Sequence, residues 1–408
     1  FMQDLSLMKE EGNCDISALL IEMPGEQTLK ENKDHFIKRG QLNHLCSACT
    51  AMALLTLQIN APSGGQGHRT GLRGGGPLTT IILGENLWET TWLNILEKNE
   101  FLSRSGNTDK TREADSFPWL DTVRIGKETT PEDVHPYQNF WASPRRIWLI
   151  SQELIGICDI CGKESKHLYR EYVTKNYGIN YKGAWLHPLS PYNIKDTLPA
   201  PIHPQPGGIG YRDWLGLVQN DPDSNRKPAI VIELFIQYHH KDMRLWAFGY
   251  DMDNMKARCW YEGIMPLVLV DDEIKGEFES RVKSLILTAR TIAKEIRTQI
   301  KKAWFNPEHK TKGDFSFIDA RFYQETEAEF YRILRVLRDA LINKTDVVLV
   351  LEEWHNTLAA TAKNIFDDLS QTGSFEAADP KRIALAWKWL QIGIYGKKVR
   401  SQLGLTED

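Results

Sequence analysis

From Val282 onward, apolar residues return every three or four positions. Val282, Leu285, Ile286, Ala289, Ile292, Ala293, Ile296 and Ile300 form one stripe; Phe330, Ile333, Leu334, Leu337 and Leu341 form a second. Leu351, Trp354, Leu358, Ala362, Ile365 and Leu369 make a third, and Ile383, Ala386, Trp387, Leu390 and Ile394 a fourth. That spacing lines one face of a helix, so it predicts four amphipathic helices, broken at Asn306-Pro307, Asn343-Lys344 and Gly373. Beyond Pro266 only Pro307 and Pro380 interrupt the pattern, and the stretch 266–408 reads as an all-α four-helix bundle. The aromatic positions in these stripes are read as core. Before Pro266 the pattern changes: prolines and glycines are frequent, and short segments of different period alternate with loops. Helical signals occupy 46–59 and 88–97, a strand is predicted at 145–151, and the β-branched run 230–236 reads as another strand. Trp88, Trp92, Trp119, Trp141 and Trp148 are expected in a packed core. The predicted class is therefore α+β, with a mixed domain over 1–265 and the bundle over 266–408.

Composition narrows the class of protein. The chain has 408 residues, 41% hydrophobic and 25% charged, enough for more than one core and too apolar for wholesale disorder. No segment approaches the ~18 uninterrupted apolar residues of a membrane span, and Phe1-Met2-Gln3-Asp4 is not a charged-then-apolar leader, so the expected location is cytoplasmic, with no membrane partner. The net charge of −4 argues against coating nucleic acid by bulk charge and leaves that role to local patches. Charges balance after Leu267, and the acidic excess lies before it.

Six cysteines change the picture through their spacing. Cys46-Ser47-Ala48-Cys49 and Cys158-Asp159-Ile160-Cys161 are two Cys-x-x-Cys pairs, whereas Cys14 and Cys259 stand alone. In a reducing compartment two such pairs commonly meet on one Zn²⁺, because four thiolates complete a tetrahedron. Gly162 after the second pair suits a zinc knuckle. The alternative is a redox dithiol or unpaired thiols, which the separation of the pairs and the lack of a thioredoxin-like context disfavour. Four cysteines would leave no open coordination position, so such a zinc holds structure together and does not activate water.

Three further segments carry candidate chemistry. Residues 61–77 hold seven glycines with His68, Arg69 and Arg73, a composition that lets backbone approach a polyanion closely. No Gly-Lys-Ser/Thr follows, and Thr70 occupies the third position of a Gly-x-Gly-x-x-Gly pattern, so neither a Walker loop nor a dinucleotide fingerprint is present. A glycine-rich hinge with solvated arginines is the other reading. In 163–185 basic residues interleave with aromatics, which suits either a nucleic-acid surface or a strand pair with half-buried tyrosines. In 248–259 a turn at Asp253-Asn254 is expected to lead into a helix-like run. No His-Glu-x-x-His, Gly-x-Ser-x-Gly or other catalytic spacing occurs.

Taken in order, Phe1-Met2-Gln3, Cys46-x-x-Cys49-Thr50-Ala51, the 61–77 glycine loop, Phe140-Trp141, the stretch 158–165, Trp185-x-His187-Pro188-x-Ser190-Pro191, Gly249-Tyr250 and the closing helices resemble the CasA family, the large subunit of the type I-E CRISPR Cascade complex. The resemblance covers essentially the whole chain and places the family's usual start before Phe1, so an N-terminal portion is expected to precede this sequence. It implies a non-catalytic subunit that recognises the short motif beside a target in duplex DNA, helps open the duplex for a guide RNA, and recruits a helicase-nuclease in antiviral defence. Guide pairing then reads the long sequence while protein reads the motif. The implied partners are target double-stranded DNA, guide RNA, the other Cascade subunits and the helicase-nuclease.

Matched by motif, the glycine loop would lie along the minor groove, with Gly64, Gly65, Gln66 and Gly67 as contacts and Arg69 and Arg73 near phosphates. Relatives commonly carry glycine where this sequence has Gln66. The wedge that splits the first base pairs falls on the loop after Gly249-Tyr250, where Asn254 stands in place of a glutamine and Asp253, Met255 or Lys256 shares the task. A groove-reaching lysine of relatives aligns with Asn176, making the adjacent Lys175 its substitute. A mobile loop that touches the guide end and the motif matches Phe36-Ile37-Lys38. The implied metal ligands are Cys46, Cys49, Cys158 and Cys161, for structural zinc. Two alternatives stand beside this reading: a zinc-stabilised enzyme, and a zinc-stabilised protein–protein scaffold without direct DNA recognition.

Overall fold

The computed structural model describes residues 1–25, 29–31, 40–105, 112–121, 123–194, 198–221, 223–239, 241–253, 256–305, 313–370 and 379–405. Two β-structures and a helical bundle organise them.

The first sheet is built around strand Leu168–Lys175. It pairs antiparallel with Arg146–Gln152 along its length, and with the short strands Cys14–Asp15 and Leu45–Cys46 on its other edge. The expected strand at 145–151 is present, and its alternation places Ile147 and Leu149 inward. Helix Ser47–Asn60 starts directly after Cys46 and closes this core with Cys49 and Leu54, against Ile16, Leu19 and Leu45. Gln58 near its end clamps the start of the Arg146 strand: its amide donates to the Arg145 carbonyl at 2.9 Å and its carbonyl accepts from the Arg145 amide at 3.1 Å.

The second structure is a long hairpin, Met243–Asp253 paired with Lys256–Leu267, extended by strand Thr79–Leu83. The expectation of a helix-like run after the 253–254 turn is thus incorrect: Lys256 pairs back onto Asp253, and the chain continues as a strand. The run 230–236 is incorrect in the opposite sense, lying in helix Ile230–Tyr238. Val231, Ile232 and Phe235 face inward from one side of it, so burial of a helical face overrides the strand preference of β-branched residues. The 88–97 signal yields the shorter helix Leu87–Leu93, in which Trp88 is 72% and Trp92 56% exposed; these two tryptophans are not core.

The C-terminal region consists of helices Asp272–Trp304, Ser316–Ile342, Val348–Ser370 and Pro380–Tyr395, followed by a short helix, Lys397–Leu403. All four predicted stripes point inward: Val282, Leu285, Ile292, Ile333, Leu337, Leu358, Ile365 and Leu390 are buried. The ends follow ordinary capping chemistry. Asp272 and Glu273 sit in the first turn of the first helix and Lys301 and Lys302 in its last, while Asp379 accepts from the Lys381 and Arg382 amides ahead of a helix opened by Pro380. The bundle core is continuous with the hairpin's inner face, Leu245, Ala247 and Met265 included. Tyr211 and Trp214 enter between them; the Tyr211 ring stacks on Phe330 at 4.4 Å and its hydroxyl bonds Thr326 at 2.8 Å. No described helix is long and apolar enough to cross a membrane.

Candidate nucleic-acid interface and metal centre

The four cysteines of the two pairs come together. Their sulfurs all lie within 4.8 Å of one another, although the pairs are more than a hundred residues apart in the chain. Cys46 ends a strand and caps helix Ser47–Asn60, which puts Cys49 on the first turn. Cys158 and Cys161 occupy a tight knuckle inside the small hairpin that pairs Gly156 with Ser165. In the knuckle the Cys158 amide donates to the Lys163 carbonyl at 3.0 Å and the Gly162 amide to the Cys158 carbonyl at 2.9 Å. Asp159 ties it to the helix side by accepting from the Asn43 and His44 amides at 2.7 and 2.8 Å.

Cys46 Sγ and Cys161 Sγ stand 3.8 Å apart. A disulfide requires about 2.05 Å, whereas a tetrahedral ion with metal–sulfur bonds of about 2.3 Å sets its sulfurs about 3.8 Å apart. The donor set and spacing therefore fit a four-thiolate metal site. Burial opposes ionisation of Cys158, but amides of Cys161, Cys46 and Ile160 outweigh it and bring that thiol down to about 6; burial and the neighbouring sulfurs push Cys49 up. A cation held by the four sulfurs would share the charge of their thiolates.

The glycine loop leaves helix Ser47–Asn60 and makes a tight turn closed by a Gly64–His68 bridge. Gly65 and Gln66 at its tip are exposed. Its first half rests on the end of strand Leu168–Lys175. The Tyr177 amide donates to the Gly67 carbonyl at 2.9 Å, the Gln66 side-chain amide to the Tyr177 hydroxyl at 2.9 Å, and the Arg69 guanidinium lies 6.0 Å from the Tyr177 ring centre. Gly67 has φ +79°, and a Cβ there would stand 2.6 Å from the Asn176 Cβ. The second half rests on the long hairpin: a Cβ on Gly76 would stand 2.5 Å from the Tyr250 carbonyl oxygen. Tyr250 is itself anchored by a short hydrogen bond from its hydroxyl to Glu22. Three segments singled out separately, the glycine loop, the Lys175-Asn176 corner and the hairpin of Gly249-Tyr250, thus form one continuous ridge.

The individual candidates divide. Gly64, Gly65, Gln66 and Gly67 form the loop tip, and Lys175, Asp253 and Lys256 are exposed. Lys175 pairs with Glu10 at 2.6 Å, with both side chains about half exposed. Asp253 and Asp251 face Arg258, at 3.7 and 2.7 Å, which braces the two hairpin strands just before the turn. Arg73 departs from expectation: it is 6% exposed, its guanidinium donates to Thr79 and Ser190 at 3.0 and 2.8 Å, and burial lowers it to about 10. It braces the loop from beneath, out of reach of a phosphate at the surface. Phe36, Ile37, Lys38, Asn254 and Met255 lie outside the described residues. In 163–185 the basic residues Lys163, Lys166, Arg170, Lys175 and Lys182 are exposed, while Tyr172 and Trp185 are buried, so the strand-pair reading describes most of that run. Tyr177 is the aromatic exception and a functional candidate that spacing alone did not separate from its neighbours.

Residues 1–365 match the family model of CRISPR-associated protein Cse1. The fold resembles solved structures of Thermus thermophilus CasA (TM-score 0.61, 16% identity, covering 97% of this chain and 78% of that one) and Thermobifida fusca Cse1 (0.64, 14%, 98% and 78%). A Cse1 from Acidimicrobium ferrooxidans gives 0.60 at 13% identity, with 97% and 77% covered.

Proposed function

Because this chain belongs to the CRISPR-associated Cse1 family, the CasA large subunits of Cascade complexes, we propose that it reads the motif flanking a target in duplex DNA and starts strand separation for the guide RNA. The observation that carries this reading is the ridge: the glycine loop is packed at Gly67 against Asn176 and Tyr177 and at Gly76 against Tyr250. A glycine tip fits a minor groove, whose width of about 6 Å leaves little room for side chains. Gln66 and Arg69, both leaning on Tyr177, supply donors beside it. Lys175 exchanges its exposed Glu10 partner for a phosphate at little cost, since such pairs are worth roughly 1 kcal/mol or less. The hairpin turn at Asp253 and Lys256, with Asn254, is the wedge, and its two long paired strands give it the stiffness to hold a base step open.

In this reading residues 1–265 meet DNA and residues 266–408 meet the other Cascade subunits and the helicase-nuclease. The last bundle helix offers a surface for that purpose, with Leu385, Trp389 and Ile392 about half exposed. The chain acts in the cytoplasm as a non-catalytic subunit, with zinc serving structure alone.

The direct test measures binding of guide-loaded complex, with and without this chain, to duplexes carrying a library of flanks at fixed salt. A preference among flanks that depends on the chain is the expected result; equal affinity for every flank would assign it the scaffold role. Lys256→Ala combined with Asn254→Ala is expected to leave flank-dependent affinity within about threefold, less than 1 kcal/mol, yet slow opening, because the wedge acts after docking. Fluorescence of 2-aminopurine at the first base pairs reads the rate, and an unchanged rate removes the hairpin turn from the opening step.

A further inference from the structure

Helix Leu87–Leu93 is fastened to the fold largely by polar groups. The Asn94 side chain donates to the Ile82 carbonyl at 2.8 Å and accepts from the Ile82 amide at 2.9 Å, while the Thr90 hydroxyl accepts from the Gly84 amide at 2.9 Å and the Glu89 carboxylate from the Glu85 amide at 2.6 Å. Of its large apolar side chains, Leu93 packs against the core, whereas Leu87, 82% exposed, stays outside with Trp88 and Trp92. An amphipathic surface helix ordinarily turns its apolar face inward. Reversed here, that face leaves an apolar patch of the kind that marks a binding surface.

The patch is also concave. Between this helix and helix Ile230–Tyr238 runs a groove of about 630 Å³, within the range of about 300–1,000 Å³ of sites that bury a ligand. Tyr238 and Ile95, 64% and 54% exposed, line it with the two tryptophans, whose rings hold each other edge to face at 5.4 Å. Charge selects the occupant. The lining carries Glu89, Glu97 and Glu100 and, among the described residues, no lysine or arginine. Glu100 pairs with Arg104 at 2.6 Å, and the nearby Lys241 is taken by Glu85 at 2.6 Å, so Glu89 and Glu97 form no ion pair among the described residues. A nucleic-acid strand or an anionic lipid surface would bring phosphates to these carboxylates, and a second copy set face to face would oppose the glutamates to their own equivalents. A basic protein segment meets both demands: its apolar side chains fill the groove, and its arginines or lysines lie over the indoles and beside the glutamates.

We propose that this groove docks a basic segment of another protein of the assembly, with Trp88, Trp92 and Tyr238 receiving its apolar and cationic side chains and Glu89 and Glu97 matching its charge. The groove lies at the root of the long hairpin, because strand Thr79–Leu83 ends opposite Arg244 and helix Ile230–Tyr238 leads into the first hairpin strand. From Arg244 to Asp253 at the turn that strand runs roughly 30 Å, at about 3.3 Å per residue. Occupant and DNA are thus held at opposite ends of the hairpin. The proposal adds a protein contact to the part of the chain otherwise assigned to DNA, and it rests on membership of the Cse1 family, not on the motif reading.

The test places the photocrosslinking residue p-benzoylphenylalanine at position 88 of the full chain and irradiates the guide-loaded complex with and without the helicase-nuclease. A crosslink to another protein chain is expected, at a segment that combines large apolar residues with arginine or lysine. A synthetic peptide of that segment should bind the full chain saturably, about tenfold or more weaker in Trp92→Ala and severalfold weaker in Glu97→Gln, with affinity falling as salt rises. Trp92 is more than half exposed and the Glu97 carboxylate accepts a long bond of 3.4 Å from the Asn99 side chain, so both variants keep the fold and the losses report on the groove. A crosslink confined to a second copy, to this same chain or to nucleic acid, or no crosslink, would overturn the proposal. So would a segment without basic residues, or peptide binding indifferent to Trp92→Ala. The readout involves no flanking motif, so its failure leaves the motif reading standing, and the reverse holds as well.

Discussion

Cys158→Ser is expected to strip the protein of one bound zinc and to lower its melting temperature by roughly 10 °C or more. Cys158 is fully buried, and among the described residues the backbone hydrogen bond that ties its knuckle to the other cysteine pair runs from the Asp159 amide to the His44 carbonyl at 2.9 Å. What fastens knuckle to helix is therefore the sulfur cluster and the Asp159 contacts. Structural zinc contributes on the order of 10 kcal/mol in peptides that fold only around it. Here strand Leu168–Lys175 holds part of the sheet without it, so the loss is taken as about 4 kcal/mol, at about 2–4 °C per kcal/mol for a unit of this size. Metal analysis of the purified chain should give one zinc, and Cys259→Ser, at an exposed lone thiol, should change neither zinc content nor melting. Protein without zinc whose melting is indifferent to Cys158→Ser would show that the thiols cluster without a metal.

The bundle was the most legible part of the sequence because its signal is repetitive: each stripe samples the helical period several times, and one misleading residue does not disturb it. The cysteine cluster was legible for a different reason, since Cys-x-x-Cys fixes local geometry and only one partner pair existed. Segment 230–238 was misread because it is apolar nearly all round, and an unbroken apolar run carries no period to separate strand from helix. The hairpin was missed although its first strand does alternate, with Leu245, Ala247 and Asp251 inward and Arg244 and Phe248 outward. Turn residues at 253–254 drew attention to the punctuation and away from the period on either side. Arg73 shows the limit of composition: a glycine-rich loop with three basic residues suggests three phosphate contacts, but whether a side chain points out or under the loop depends on Thr79 and Ser190, which the loop meets only after folding.

Two substitutions in the glycine loop are expected to fail in different ways, and the contrast separates architecture from contact. Gly76→Ala puts a methyl group 2.5 Å from the Tyr250 carbonyl oxygen and 2.9 Å from Met252 Cγ, at a residue with φ +63°. A left-handed non-glycine costs about 1–2 kcal/mol and overpacking about 1–3 kcal/mol more. The expected destabilisation is thus about 2–5 kcal/mol, and flank discrimination should vanish because loop and hairpin no longer share one ridge. Gly65→Asp is the opposite case. At φ +40° with open space around its Cβ, the position accepts aspartate, one of the residues that tolerates left-handed backbone, at a cost of about 1–2 kcal/mol or less. Its carboxylate would instead meet the phosphates on either side of the groove, and duplex affinity should fall about tenfold at moderate salt, close to 1.4 kcal/mol. Raising the salt should narrow that gap, because screening weakens the new repulsion. Thermal melting and duplex titration of the two variants decide the matter together. If Gly65→Asp melts and binds as wild type, the loop tip does not face DNA; if Gly76→Ala is destabilised but still discriminates flanks, the ridge is scaffolding and recognition belongs to the hairpin turn alone.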